Sequence, residues 1–574
     1  MASESHTAAW QQRAAVPRVV LPVTRGGLAV TDRLCWLALA AGMAVAAGLI
    51  LYLNRGTTFY VDEIAWLYET PGLGAGEVLD PHNGHLIAVT RLVFKAILET
   101  VGTEYLAFRL LGVASLLLCV GLFYALVKRR IGALPALAPA LALLFLGSAS
   151  QHVLIPIGFT PLFSIAAGLA ALLVLERDDR RGDIGACALL VLSILTYSTG
   201  LAFAVGVGLS VMLRPDRWRR AWVFALPFAL YAGWWIVEDD PTDASQEPRP
   251  SNLLLIPRYA AESLAAVLAG LAGLGFDFGD PSQGDTWWGR VLAVAAAVAL
   301  AIRIGRGRVS PSLWTSLAIV LTFWSLGAIV TDANRLPTDV RYIFMGSVGV
   351  LLVATDAART IRFTRAGLIA LLAVLAVSLS TNVALLRDRG AAFRAESAML
   401  RAEYAMLDLS RDHLDQGFTL FRALPSHTFL AFREAGEYYA VQDRYGSAGF
   451  TVPELERQPE EVREHADQTL SRLLGLRVEP APRALPSRGC EEIEASEGAA
   501  GLSAELAPGG AVLQVDGDDG ADLSLARFAA LPTASLGTIR SGQPIRVRIP
   551  RDGSARPWQA GIAPAAAVTV CPIR

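Results

Sequence analysis

The stretch LCWLALAAGMAVAAGLILYL (residues 34–53) decides the fold class, because it contains no charged residue over its whole length. A helix of this length crosses the hydrocarbon core of a bilayer, which is ~30 Å thick. Apolar runs of comparable length recur at 106–127 and 366–386. The pattern therefore predicts a polytopic α-helical membrane protein.

The composition of the whole chain agrees with lipid as the solvent for much of it. Of 574 residues, 53% are hydrophobic and 18% are charged, whereas about a quarter of a typical soluble domain is charged. The arginines are spread along the chain and the net charge is -2, so no basic tract indicates a nucleic-acid partner. The sequence has no Walker loop, HExxH or CxxC motif, which leaves ATP-driven transport and zinc proteolysis without support.

The distribution of arginine sets the expected orientation, since short cytoplasmic loops are enriched in Arg and Lys. Arginines precede the first apolar run, which places residues 1–33 in the cytoplasm, and that run is too long for the core of a cleavable signal. Applied along 34–387, the rule predicts eleven spans in a plasma-membrane protein. The outer loops are expected at 54–105 and 238–285, with the C-terminus outside.

Two segments depart from simple spans. The apolar part of the stretch 251–285, at about 259–275, is followed by acidic residues, and we expect it to lie at the interface or to re-enter the membrane. The run 184–213 is too long for one helix and has a polar interruption at 197–200, where we expect a break into two short helices.

The composition becomes polar after about residue 387. Residues 388–475 are expected to form a helical and mixed region that begins with a charged amphipathic helix. In 476–574, short apolar runs such as 511–515 and 545–549 alternate with Gly, Pro and Asp turns, which favours a β-rich domain with a sandwich as the default. Both parts are expected outside the membrane.

The cysteines divide between these regions. Three lie in apolar runs and are expected to be inert packing residues: Cys35, Cys119 and Cys187. Cys490 and Cys571 lie in the polar C-terminal part, where export would allow a disulfide.

The stretch FYVDEIAWLYE (residues 59–69) directly follows the first apolar run and contains adjacent carboxylates. If 62–69 is helical, Asp62 and Glu69 share one face, while Glu63 points elsewhere. Asp62 is also a good N-cap residue. The pair is therefore either a reactive carboxylate with its neighbour or a helix cap with a solvated charge.

A second polar segment in the same outer loop contains His82 and His85 on either side of Asn83-Gly84, which makes a tight turn easy. These histidines are candidates for contacts to substrate hydroxyls or for a metal site, or they pair with local backbone. No third metal ligand is evident in the sequence, so no metal site is assigned.

Arginines near the outer membrane face also need an explanation. Arg109 lies just inside the second span, where it snorkels, pairs with another group or faces a polar cavity. Arg335 and Arg341-Tyr342 lie in the late outer loop or at the start of the next span, against the positive-inside trend. A phosphate at the interface would explain both arginines, because guanidinium groups match phosphate oxygens; pairing with Asp332 or Asp339 is the alternative. His152 is a weak candidate on the same side.

This layout resembles the GT-C superfamily of integral membrane glycosyltransferases over roughly 30–390. The matching features are an acidic pair in the first outer loop, a His-containing segment, an Arg opening the second span and an Arg-Tyr step into a late span: Asp62-Glu63, His82 to His85, Arg109 and Arg341-Tyr342. The polar tail is similar in placement to the extracytoplasmic β-domains of some bacterial, cell-wall-building members.

The resemblance implies transfer of a sugar from a polyprenyl-phosphate donor to an acceptor hydroxyl outside the membrane, with inversion. It implies Asp62 as general base, with Glu63 as the alternative, and a phosphate site at Arg335, Arg341 and Tyr342. The remaining substrate-binding candidates are Glu69, His82, His85 and Arg109. The expected partners are membrane lipid, the lipid-linked sugar and a glycan of the cell wall or envelope. No metal signature accompanies the acidic pair.

Two rival functions are a transporter or flippase for a lipid-linked saccharide and a non-catalytic scaffold of the cell envelope. A transporter predicts charges deep within spans and a repeat of the helices. The charges here cluster at the ends of the apolar runs, and no internal repeat is evident. A scaffold predicts that the Asp62 carboxylate is dispensable.

Overall fold

The structure, a computed structural model, describes residues 32–573 except for short gaps. The gaps are 239–247, 275–286, 308, 333–334, 362–363, 425–427, 482–488, 496–500, 517–519, 551–553 and 555. The predicted cytoplasmic segment 1–33 therefore lies almost wholly outside the described residues, as does much of the predicted loop 238–285.

The described residues form two compact units. The helical unit contains 32–53, 79–90 and 110–389, and the mixed unit contains 54–78, 91–109 and 390–573. The mixed unit thus combines most of the predicted outer loop 54–105 with the polar C-terminal part.

The helices are α1 Asp32–Leu53, α2 Asp62–Glu69, α3 Ala88–Val101, α4 Leu106–Ile131, α5 Ala133–Leu144, α6 Ser150–Leu154, α7 Phe159–Leu175, α8 Arg180–Thr196, α9 Thr199–Met212, α10 Arg217–Arg220, α11 Trp222–Val237, α12 Ile256–Ala272, α13 Trp287–Gly305, α14 Pro311–Ile329, α15 Val340–Ala357, α16 Arg365–Leu409, α17 Thr428–Ala431, α18 Ala435–Tyr445, α19 Val452–Leu455 and α20 Glu460–Leu473.

The predicted class, a polytopic helical membrane protein with a strand-rich C-terminal part, is confirmed. Among the described residues, eight helices are long and apolar enough to cross a membrane, or nine if the bent pair Ala133–Leu144 and Gly147–Leu154 is one span. The apolar helices α9 and α11 are shorter than a full span. The count of eleven therefore exceeds what helix length supports, because some predicted spans are short or bent.

Three segments can be compared directly with the predictions. The break at 197–200 is confirmed, since α8 ends at Thr196 and α9 begins at Thr199. Most of the segment 259–275, expected to lie at the interface or to re-enter the membrane, belongs to Pro250–Ala272, whose length and apolarity suffice to cross. The 3-10 turn before α12 supplies the extra length. The boundary predicted at residue 387 falls inside the continuous helix α16.

A buried ion pair joins three helices of the helical unit. The Arg130 guanidinium donates to the Asp356 carboxylate at 2.7 Å, and the two side chains are 3% and 0% exposed. Ser312 and Ser316 each donate a hydroxyl hydrogen bond of 2.7 Å to the same carboxylate. Arg359 approaches it at 3.0 Å. Both oxygens of the Asp356 carboxylate therefore accept hydrogen bonds, which offsets part of the cost of burying its charge.

Among its described residues, the C-terminal part of the mixed unit contains nine strands: β1 Val478–Pro480, β2 Glu491–Glu494, β3 Leu502–Leu506, β4 Ala511–Asp516, β5 Ala521–Ala526, β6 Ala534–Ile539, β7 Ile545–Val547, β8 Trp558–Ala563 and β9 Ala567–Pro572. They form antiparallel sheets in the orders β1-β7-β4-β9-β2 and β3-β8-β5-β6. Burial alternates along β3, as a strand with one face in the core requires. The predicted β-rich region is confirmed.

The predicted disulfide is also present, between Cys490 and Cys571. It links the residue before β2 to β9, its antiparallel neighbour. The other three cysteines are buried, as expected.

A buried carboxylate attaches helix α20 to the end of strand β5. Asp467 accepts backbone N–H bonds from Arg527, Phe528 and Ala529 at 2.9, 3.0 and 2.9 Å. Burial raises the pKa of Asp467 to about 6, against the lowering effect of these three donors. The helical and strand-rich parts of the mixed unit are therefore joined by side-chain to backbone bonds.

Candidate functional site

Helix α2 carries the acidic pair and begins at Asp62 itself. The sequence suggests Asp62 as the N-cap, but the cap position is Val61, whose side chain makes no capping hydrogen bond. Val61 has φ 53° and ψ -124°, an unfavourable conformation for a β-branched residue. Backbone strain of this kind is concentrated at functional sites. Val61 lies directly beside Asp62, the candidate base.

Glu63 is held by two hydrogen bonds and is only 1% exposed. Its carboxylate accepts the Tyr105 hydroxyl at 2.6 Å and the Tyr60 backbone N–H at 3.1 Å. Burial, reinforced by the Glu63 charge, raises the pKa of Tyr105 well above its usual value, so this phenol remains a donor. Glu63 therefore anchors the start of α2, while Asp62 is only partly buried.

An aromatic cluster in the mixed unit supports this part of the chain. Phe59 makes edge contacts with three rings at centroid distances of 6.0, 5.0 and 5.1 Å: Phe94, Tyr105 and Phe108. Trp66 on α2 packs against Phe94 at 5.6 Å. No sequence pattern links Tyr105 to Glu63; the only signal for Tyr105 is its position just before a predicted span.

Glu69, at the other end of α2, is an ion-pair partner. It lies 3.5 Å from the Arg91 guanidinium and 3.8 Å from that of Arg433. Arg91 also donates to the backbone carbonyl of Glu77. No sequence pattern linked Arg433 to Glu69, because the two are far apart along the chain.

Arg109, a predicted substrate-binding residue, donates a hydrogen bond of 3.1 Å to the Asn54 carbonyl. The bond supplies a polar partner for a charge near the membrane face. Pairing, one of the three alternatives for Arg109, is therefore present, with a backbone carbonyl as the partner.

In the helical unit, His82 and His85 flank a tight turn. Each donates its backbone N–H to the carbonyl of the other, at 3.0 and 2.9 Å. Asn83 and Gly84 between them have φ values of 48° and 71°, as a two-residue hairpin turn requires. The predicted turn is confirmed, and its backbone pairing leaves the imidazoles to make other contacts.

The imidazole of His85 reaches the break between α8 and α9. Its Nδ1 lies 2.8 Å from the Ser198 hydroxyl, and its ring centroid is 4.5 Å from that of Tyr197. Ser164 donates to the carbonyls of Ser193 and Tyr197 at 2.8 and 3.2 Å. Side chains thus satisfy backbone groups left unpaired by the interrupted helix.

The late-loop arginine is positioned at the start of α15. Asp339 caps this helix, and its carboxylate accepts the Arg341 backbone N–H at 3.3 Å and the Nε at 2.7 Å. Pairing with Asp339, one of the alternatives for Arg341, is therefore present. The Arg341 side chain is still 40% exposed.

The structure brings several of the predicted polar residues together within the helical unit. Arg341 lies 5.6 Å from the Tyr342 ring. It is also close enough to Tyr197 and His152 to interact with them electrostatically. Arg335 accepts a 2.7 Å hydrogen bond from the Thr331 hydroxyl through its carbonyl.

Within the part of the chain that the structure describes, no group of three or more His, Cys, Asp or Glu side chains is arranged to hold a metal ion. The two histidines contact neighbouring polar side chains instead. His85 contacts the Ser198 hydroxyl, and His82 contacts the Asn83 side-chain amide.

Two solved structures are similar to this chain. ArnT from Cupriavidus metallidurans in the apo state is 13% identical, with a TM-score of 0.45 and coverage of 72% of this chain and 89% of ArnT. ArnT bound to undecaprenyl phosphate is 14% identical, with a TM-score of 0.44 and coverage of 71% and 88%.

These likenesses concern the fold, and at such identities and TM-scores they assign no residue, substrate or activity. No protein-family model matches the sequence, and no curated protein is similar to it in sequence.

Proposed function

We propose that this chain is a membrane glycosyltransferase that transfers a sugar from a polyprenyl-phosphate donor to a hydroxyl of an extracytoplasmic glycan. The observation that carries the proposal is the Asp62-Glu63 pair at the start of α2. Glu63 is buried and bonded, Asp62 is partly accessible, and the preceding residue is strained. A partly accessible carboxylate beside a fixed neighbour is suited to act as a general base.

In the proposed reaction, Asp62 takes the proton of the acceptor hydroxyl as its oxygen attacks the anomeric carbon of the donor. The bond from that carbon to the phosphate oxygen breaks, and the lipid phosphate leaves with the electron pair. Attack from the face opposite the phosphate inverts the anomeric configuration. Asp62 then releases the proton to water.

Arg341 is proposed to stabilise the leaving phosphate, with Arg335 and Tyr342 as further donor contacts. A guanidinium already oriented by Asp339 loses little freedom when it binds an anion. Charge accumulates on the phosphate as the bond breaks, so the interaction strengthens in the transition state. His82, His85, Glu69 and Arg109 are proposed to shape substrate binding through their neighbours.

The test is transfer of radiolabelled sugar by the purified full-length protein in nanodiscs. Donors are a panel of sugars on polyprenyl phosphate, including undecaprenyl phosphate, the lipid bound in one ArnT structure, and the acceptor is a cell-envelope glycan extract. Transfer with an inverted anomeric product supports the proposal. Lack of both donor turnover and donor binding across the panel would contradict it.

Replacing Arg341 is expected to weaken use of the donor. In Arg341→Gln, loss of the charged fork should raise the Kd for a polyprenyl phosphate about tenfold or more, because charge-assisted hydrogen bonds contribute about 1.5–3 kcal/mol. Arg341→Lys should restore only part of the affinity, since an ammonium lacks the planar fork. Lipid binding is measured with a labelled polyprenyl phosphate.

Arg290→Gln is the matched control, because Arg290 is also paired with a carboxylate, that of Glu262 at 3.0 Å. Its affinity for the lipid should equal that of the unmodified protein. Equal weakening by the two variants would show that the Arg341 effect is nonspecific.

The mixed unit is proposed to lie outside the cytoplasm, since its disulfide is typical of oxidising compartments. Ser503→Cys, at an exposed position of β3, should therefore react in intact cells with a membrane-impermeant maleimide. The native protein gives low background, because its cysteines are buried or disulfide-bonded. Arg181→Cys, at an exposed position in the first turn of α8, where Arg180 and Arg181 predict a cytoplasmic helix end, should react only after permeabilisation. If Arg181→Cys reacts in intact cells and Ser503→Cys reacts only after permeabilisation, the topology is the inverse of the proposed one.

A further inference from the structure

Two phenylalanines of the mixed unit are stacked on each other and exposed to solvent. The rings of Phe421 and Phe432 lie 5.9 Å apart at an interplanar angle of 12°, and the residues are 60% and 70% exposed. Burial of such rings is favourable, so two adjacent exposed rings indicate a surface used for binding. We call this pair the phenylalanine platform.

The backbone beneath the platform is held by cross-strand hydrogen bonds. Leu420 donates its N–H to the Arg433 carbonyl at 3.0 Å, and Ala435 donates to the Phe418 carbonyl at 2.9 Å. Thr419 and Glu434 form an isolated antiparallel bridge between the same arms. The two rings are therefore carried on paired backbone, which fixes their separation.

The platform is tied to the helix that carries the acidic pair. Arg433, next to Phe432, approaches the Glu69 carboxylate at 3.8 Å and lies 5.5 Å from the Tyr68 ring. The short helix α17, which ends one residue before Phe432, also packs against α2. Contacts within the mixed unit thus connect the exposed rings to the helix of Asp62.

The groups around the platform distinguish between possible occupants. Arg433 also lies 3.9 Å from the Glu437 carboxylate, and Glu434 is exposed. Carboxylates at this rim oppose an anionic membrane surface, and they would be desolvated by a hydrocarbon phase. Partly exposed carboxylate and guanidinium groups can instead bind sugar hydroxyls, while aromatic faces receive the C–H faces of sugar rings.

We infer that the phenylalanine platform is a saccharide-binding subsite that holds the glycan acceptor through ring stacking. That the bound glycan is the acceptor rests on the proposed glycosyl transfer. Saccharide binding itself requires no turnover. The chemical class is a neutral oligosaccharide that presents apolar ring faces, flanked by hydroxyls within reach of Glu69, Arg433 and Glu437.

The test is saccharide binding by the full-length protein in nanodiscs, measured by saturation-transfer NMR. The probes are linear arabino-, galacto-, manno- and gluco-oligosaccharides. The unmodified protein should bind at least one of them, and the double variant Phe421→Ala/Phe432→Ala should raise its Kd about tenfold, as expected for loss of two aromatic contacts. Binding of none of these probes by the unmodified protein would overturn the inference.

Two further double variants separate stacking from simple apolarity. Phe421→Trp/Phe432→Trp keeps the aromatic faces and should bind the saccharide like the unmodified protein. Phe421→Leu/Phe432→Leu keeps apolar surface without rings and should bind as weakly as the Ala pair. Wild-type binding by the Leu pair would identify a general apolar contact, such as a bilayer, and overturn the stacking subsite.

Leu531→Ala is the matched control, because Leu531 is an equally exposed apolar residue of the same unit, at 70%. It should leave saccharide binding unchanged; an equal loss would overturn the assignment to the platform. Donor-lipid binding is measured on the same samples. If saccharide binds at the platform but no donor is bound or turned over, the proposed enzymatic function fails while the subsite stands.

Discussion

Asp62→Asn is expected to reduce sugar transfer by about 10²–10⁴-fold, the contribution typical of a positioned general base. The amide has nearly the same shape as the carboxylate but cannot accept the acceptor proton. Binding of the donor lipid should be unchanged, because the substitution leaves the proposed phosphate contacts intact. Single-turnover transfer of radiolabelled sugar measures the chemical step, and lipid binding is measured in parallel.

Glu63→Gln provides the comparison within the same pair. Its amide oxygen can still accept the Tyr105 hydroxyl, so the anchor at the start of α2 is weakened rather than removed. We expect a smaller loss of transfer, together with lower thermal stability. If Asp62→Asn transfers sugar at the normal rate and Glu63→Gln does not, the roles of the two carboxylates are exchanged.

Asp356→Ala is expected to lower the free energy of unfolding by about 3–5 kcal/mol, because it leaves the Arg130 guanidinium buried without its counter-charge. Ser312 and Ser316 lose their acceptor in the same change. Unfolding of the purified protein by SDS in mixed micelles measures the effect. Replacing both charges together, with Arg130→Met and Asp356→Leu, should recover much of the lost stability.

The neighbouring residue provides a matched control on the surface. Arg129 pairs with Glu176 at 2.6 Å, but both side chains are largely exposed. Glu176→Ala should change the free energy of unfolding by about 1 kcal/mol or less, since solvent screens exposed pairs. A loss as large as that of Asp356→Ala would show that burial is not the cause.

Much of the architecture could be predicted from local pattern. The apolar run 34–53 became α1, the acidic stretch became the helix Asp62–Glu69, and the polar interruption at 197–200 became a helix break. The bounds of individual spans were harder to predict. The length of a helical segment depends on where it begins and ends. The 3-10 turn at Pro250–Leu255 lengthens the segment that was expected at the interface.

The partners of the candidate residues were not predictable in the same way. Tyr105 bonds Glu63 from 42 positions away, and Ser198 bonds His85 from 113 positions away. Arg341 had a short-range partner, Asp339, which the sequence did suggest. The phenylalanine platform also depends on folding, since two phenylalanines eleven positions apart show no stacking pattern in the sequence.

The sequence by itself determined the membrane class, the acidic helix after the first span, the helix break and the strand-rich end. The physical reason is that bilayer thickness, helical periodicity and turn chemistry act on neighbouring residues. Only the tertiary structure decided that Glu63 is anchored, that Asp62 is the more accessible carboxylate, and that Arg433 joins the platform to α2. Those outcomes depend on burial and on contacts between residues that are distant along the chain.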